Sequence, residues 1–122
     1  MKLCTEAERS TAWTCVVATI ENCQTMQSKF QPGTSQHTLL VNRIRALTVA
    51  KNLLEDASVF CPKEDLSQAL VPICSIIHKS KKAVTHGKEG SASNQRLNRI
   101  IYAMELSRKL IERKLQESDT VL

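Results

Sequence analysis

The stretch of this chain best equipped for chemistry runs from His78 to Arg99, HKSKKAVTHGKEGSASNQRLNR. It carries two histidines, four lysines, two arginines and two glycines against a single acid, Glu89. Cations at that density can neutralise phosphates or an acidic protein surface. The glycines of His86-Gly87-Lys88-Glu89-Gly90-Ser91 suggest a phosphate loop. That loop has the pattern G-x-x-x-x-G-K-[ST] and follows a strand, and neither condition is met here. A helix beginning at Ser91 can still hold one anion on its free N–H groups. Turning the chain is the plainer task for the two glycines.

The segment His86-Gly87-Lys88-Glu89-Gly90-Ser91-Ala92 also resembles the motif of histidine phosphotransfer domains, a histidine followed by a lysine and then Gly-Ser-Ala or Gly-Ser-Ser. The resemblance implies a four-helix bundle with His86 as the phosphorylated residue and Gly90 as the motif glycine. It covers only these residues, and it departs from the pattern. Glu89 stands where that family has its lysine, which sets a negative charge beside an incoming phosphoryl group. Gly87 and Gly90 bracket a predicted loop, whereas the family places its histidine mid-helix.

Other chemistry has less footing. His37, His78 and His86 lack the i, i+3 or i, i+4 spacing of helical metal ligands, and no Glu-x-x-His occurs. No metal or cofactor is implied, no catalytic residue is assigned, and the chain reads as a non-enzyme. The five cysteines, Cys4, Cys15, Cys23, Cys61 and Cys74, form no CxxC pair. An odd, scattered set of thiols predicts a reducing cytoplasm rather than a disulfide framework. Cys23 falls on an apolar stripe and reads as a small hydrophobe. Cys4 and Cys61 stand at equivalent helix starts, where the positive dipole end is expected to lower a thiol pKa.

The elements that must position these residues are helices. The chain has 122 residues, one domain's worth, with three glycines, three prolines and 3% aromatics. An apolar content carried by Leu, Ile, Val and Ala with few turn formers favours an all-α fold. No run approaches the about 18 apolar residues of a membrane span, and MKLCTEAERS turns charged too early for a secretory signal. The first helix opens with a capping box at Thr5 and Glu8 and carries Trp13, Val16, Val17, Ile20 and Cys23 on one face, with Trp13 a core anchor. Gln31-Pro32-Gly33 ends it. A second helix runs from Ser35 to about Ser58 with Leu40, Ile44, Leu47 and Leu54 inward. The third starts with Pro62 as its first residue, continues through Leu66, Leu70, Ile73, Ile77 and Val84, and is expected to kink or split at Pro72. His78 rides its polar face. The fourth begins at Ser91 or Ser93 and carries Leu97, Ile101, Met104, Ile111 and Leu115, before a frayed tail at 118–122.

Sliding the sequence on itself by 57 positions aligns Cys4 with Cys61, Ala12 with Ala69, Gly33 with Gly90, Ala46 with Ala103 and Leu53 with Leu110 without a gap. This reads as a duplicated helical hairpin, about residues 4–60 and 61–117, within one domain spanning 1–122. The simplest packing is an antiparallel up-down four-helix bundle with a pseudo-twofold axis.

Such a bundle puts the first and third connections at one end. Near it fall Lys29, Arg43, Arg45, Lys79, Lys81, Lys82, Lys88, Arg96 and Arg99 against Glu89 alone, a local charge of +8 in a chain of net charge +5. Those nine are the candidate binding residues. Their field points to an acidic protein partner first. Non-specific nucleic-acid binding through phosphates is the alternative, although Tyr102 is the only aromatic in residues 78–103. Phosphotransfer through His86 ranks third. Membranes are not expected as partners, and a homodimer is compatible with everything above.

Overall fold

Side-chain oxygens decide where three of the helices begin. In the computed structural model, which describes residues 4–120, α1 spans Glu6–Gln27 and opens on the predicted capping box. Thr5 Oγ1 accepts from the Glu8 N–H at 3.1 Å, and the Thr5 N–H donates to Glu8 Oε1 at 2.9 Å. α2 spans Ser35–Glu55 behind Thr34, whose hydroxyl accepts from the His37 N–H. α3 spans Lys63–His86, and α4 spans Ala92–Thr120 behind Ser91, whose hydroxyl accepts from the Asn94 N–H. Caps of this kind satisfy N–H groups that the first turn leaves without partners, each contributing about 1 kcal/mol.

Three details differ from the sequence expectations. α2 stops at Glu55 because Asp56 is extended (φ −153°, ψ 104°) and its carboxylate accepts from both the N–H and the hydroxyl of Ser58. Pro62 caps α3 from outside instead of opening it. α3 runs unbroken through Pro72. That proline is half-buried beside exposed Val71, so the carbonyl deprived of its donor, that of Gln68, lies where solvent reaches it. α4 extends to Thr120, and Arg113 and Lys114 pair with Glu117 one turn on, at 4.0 and 3.8 Å. Residues 121 and 122 of the expected tail lie outside the described residues, as do residues 1–3 of the N-terminal segment.

α1 packs on α2 and α3 on α4, and the two hairpins close through α2–α3 and α1–α4. α2 and α4 also touch across the diagonal, whereas α1 and α3 do not. Cross-helix contacts fix the antiparallel path: Gln27 meets His37, Lys81 meets Glu105, and Lys114 Nζ donates to the Ala57 carbonyl. This is the all-α up-down four-helix bundle. No helix among the described residues is long and apolar enough to cross a membrane.

The two hairpins match in structural register. Glu6 and Lys63 open α1 and α3, and Ser35 and Ala92 open α2 and α4, each pair 57 positions apart. Gly33 and Gly90 are the two glycines with positive φ, 92° and 78°. Buried positions correspond as well: Ala12 with Ala69, Val16 with Ile73, Cys23 with Ser80, Leu47 with Met104 and Leu54 with Ile111. Trp13 packs against this core while keeping one side near solvent, and its Nε1 has no hydrogen-bond partner.

Leu47 and Met104 are fully buried at matched sites. Truncating either to alanine is expected to cost about 2–5 kcal/mol, read from urea denaturation, whereas Val71→Ala on the exposed face should change stability by under about 0.5 kcal/mol.

Candidate functional site

Residues 28–34 and 87–91 form the two turns at the shared end of the bundle. In each, a left-handed glycine precedes the capping hydroxyl: the Thr34 N–H donates to the Gln31 carbonyl, and the Ser91 N–H donates to that of Lys88. Positive φ is a conformation that only glycine adopts without strain. Gly87 is needed for another reason. Asn94 Oδ1 lies so near it that a β-carbon would clash, while Asn94 Nδ2 donates to the Val84 carbonyl at 3.3 Å and ties α4 to the end of α3.

This frame disperses the nine predicted bases. Lys29 and Lys88 stand exposed in the turns, with Lys82 and Arg96 exposed on the adjoining turns of α3 and α4. Lys79 and Arg99, also exposed, lie about 10 Å down the flanks of those helices at about 1.5 Å per residue. Lys81 is held by Glu105 at 2.8 Å, a bond that draws the Glu105 carboxyl below its usual range. Arg43 and Arg45 belong further from the end, about 12 and 15 Å from the start of α2. Arg43 is half-buried with no partner for Nε, and Arg45 lines the groove between α2 and α3 together with Asp65. The end itself is therefore built from Lys29, Lys82, Lys88 and Arg96, with Lys79 and Arg99 on its shoulders.

The histidines and thiols fall in less eventful places. His86 is the last residue of α3 and is exposed; Gly90 occupies the left-handed turn and Ser91 caps α4. The residues resembling a phosphotransfer motif are thus divided among a helix end, a turn and a cap, without the mid-helix histidine that the resemblance implies. His78 is exposed on α3, as expected. Cys61 corrects an expectation: burial first and the Asp65 carboxylate second push its thiol up, against the pull of Lys114. Cys23 is buried, and burial raises its thiol too. All five cysteines are unpaired, and no group of three or more potential metal ligands occurs among the described residues.

Periodicity alone does not reveal that the Tyr102 hydroxyl donates to Glu8 Oε2 at 2.5 Å, joining the first capping box to α4. In the register of the repeat Glu8 answers Asp65 and Tyr102 answers Arg45, and Asp65 and Arg45 line the groove between α2 and α3. The bond from Tyr102, then those from Thr5, lower the Glu8 pKa, and the same contact raises that of Tyr102. Comparison with family models, with curated proteins and with solved structures returns no match to this chain. The geometry defines its class: a four-helix bundle of two hairpins in one register, with an exposed basic end.

The lowered Glu8 pKa contributes stability that is present above the unfolded carboxyl's pKa and lost as pH falls through the folded one. The raised phenol contributes below its unfolded pKa and loses that contribution as pH rises through the folded one. Tyr102→Phe should lower Tm at neutral pH, with a deficit that shrinks on acidification, and should raise the Glu8 pKa part of the way to its usual range in an NMR titration, the Thr5 bonds holding the rest.

Proposed function

We propose that the protein is a non-catalytic binding module that uses its basic hairpin end to hold an acidic protein partner, in a reducing compartment such as the cytoplasm. One observation carries this reading. Lys29, Lys79, Lys82, Lys88 and Arg96 are exposed around two adjacent turns and take part in no ion pair among the described residues. At the other end, by contrast, Arg9 pairs with Glu6, and Arg113 and Lys114 pair with Glu117. Cations that outnumber the single local acid, Glu89, project a field that steers acidic surfaces and sets the register of docking. Five free thiols support the reducing compartment. The only tyrosine is engaged by Glu8, and Phe30 in the first turn is partly buried against the core, so the same end offers little for stacking nucleic-acid bases.

The test reverses charge where it is free. Lys79→Glu, Lys82→Glu and Lys88→Glu together should weaken partner capture about tenfold or more, as read by affinity purification and then by titration of the recovered partner. Lys81 stays untouched because its reversal would break the Glu105 bond. Lys109→Glu, an exposed change at the opposite end, should leave capture within about twofold. Anisotropy with labelled duplex DNA at about 50 and 200 mM salt completes the test. Tight, salt-steep DNA binding lost in the triple variant would replace the protein partner with nucleic acid.

A further inference from the structure

The register of the repeat matches the grooves between helices as well as the helices themselves. Thr14, Cys15 and Arg99 answer Val71, Pro72 and Asn42 at a spacing of 57 positions. The first three line a groove of about 670 Å³ between α1 and α4, and the second three line one of about 510 Å³ between α2 and α3. Two grooves built on one plan serve as controls for each other.

They differ in charge and in floor. The α2/α3 groove holds Arg45 and Asp65, whose signs cancel. The α1/α4 groove is lined by Arg96 and Arg99 and by no acid. Both arginines are exposed and take part in no ion pair among the described residues. Cys15 lies within reach of both charges: burial raises its thiol, while Arg99 and Arg96 draw it back. The floor is largely apolar, with the short side chains of Cys15 and Ala18 beside Ile100. Arg96 also belongs to the basic end, so this groove opens directly onto that surface.

We propose that the α1/α4 groove seats an acidic amphipathic helix of the partner protein, its apolar face over Ala18 and Ile100 and its carboxylates on Arg96 and Arg99. This rests on the reading that the partner is an acidic protein, and it says where that partner lies. Arg96 and Arg99 are three residues apart on one helix, about 4.5 Å along its axis. Carboxylates spaced by one turn on a docked helix present the same interval. Helix-in-groove recognition needs an apolar floor for anchors at i, i+3 and i+7, and the charges then choose among candidate helices.

The probe is a fluorescein-labelled peptide of about 15 residues with leucine on one helical face and glutamate on the other, beside a version with lysine for glutamate. The acidic peptide should bind, and the lysine peptide should bind at least about tenfold more weakly. Thr14→Trp fills the groove from an exposed position and should weaken binding about tenfold or more, as should Arg96→Glu with Arg99→Glu. Val71→Trp, the matched change in the other groove, should stay within about twofold. Circular dichroism should confirm that every variant keeps the helical content of the parent.

Equal losses from Thr14→Trp and Val71→Trp, equal binding of both peptides, or no binding up to about 1 mM would overturn the groove. So would sedimentation showing a dimer of this chain that Thr14→Trp dissociates, since the occupant would then be a second copy. Failure here is separable from failure of the wider reading. If the triple lysine reversal abolishes partner capture while Thr14→Trp spares both capture and peptide binding, the groove falls and the basic end stands. If neither change affects capture, both fall.

Discussion

The close approach of α2 and α4 is the constraint on which the rest of this bundle depends. These two helices touch across the diagonal while α1 and α3 stay apart. Small residues make the approach feasible: Ala46, Ala50, Ala103 and Ser107 are each no more than 2% exposed. They are two matched pairs in the repeat, so both helices bring short side chains to the same level. The one hydroxyl among them is satisfied within its own helix, Ser107 Oγ donating to the Ala103 carbonyl at 2.7 Å, which removes the cost of burying it. Larger apolar residues on either side, Leu47 and Leu54 on α2 and Met104 and Ile111 on α4, then fill the space toward α1 and α3. The cross-section is a rhombus, and its long diagonal leaves α1 and α3 at the outer corners.

That rhombus governs the surface. A corner helix is covered only by its two neighbours, and α1 carries threonines, alanines and cysteines where a longer side chain would have reached α4. The turns are more tightly determined. Each needs a left-handed glycine followed by a capping hydroxyl, and the turn between α3 and α4 also needs the bare α-carbon of Gly87 against Asn94. Charge is least constrained where these turns leave the surface open, and the unpaired cations gather there.

Much of the frame is legible in the amino-acid order because the determinants are local. A capping box, a Thr or Ser before a helix and a glycine just ahead of it all act within one turn of chain, and the helix starts fall close to where they are expected. The repeat is legible for the same reason, since it is only a recurrence of local signals. The misjudged boundaries are places where neighbours compete: the Asp56 carboxylate with a continuing helix, or Gln68 and its solvent with the Pro72 kink. What remained hidden depends on how each helix is rotated. The Lys81–Glu105 and Tyr102–Glu8 bonds require knowing which faces meet. Nearness in sequence groups Arg43 and Arg45 with the basic end, whereas the rise of α2 sets them about 12 and 15 Å along the helix from its start.

Joining the two hairpins through residues 56–62 has a consequence for what the molecule can become. A pair of identical hairpins, assembled from separate chains, would have to accept every substitution twice, so any feature gained by one side would be imposed on the other. Within a single chain the halves are free to part company while their shared interior keeps its symmetry. Arg99 can face outward from one side and Asn42 from the other, over cores that still agree at Ala12 and Ala69, Val16 and Ile73, and Leu47 and Met104. The covalent link turns a symmetric scaffold into one with a front and a back.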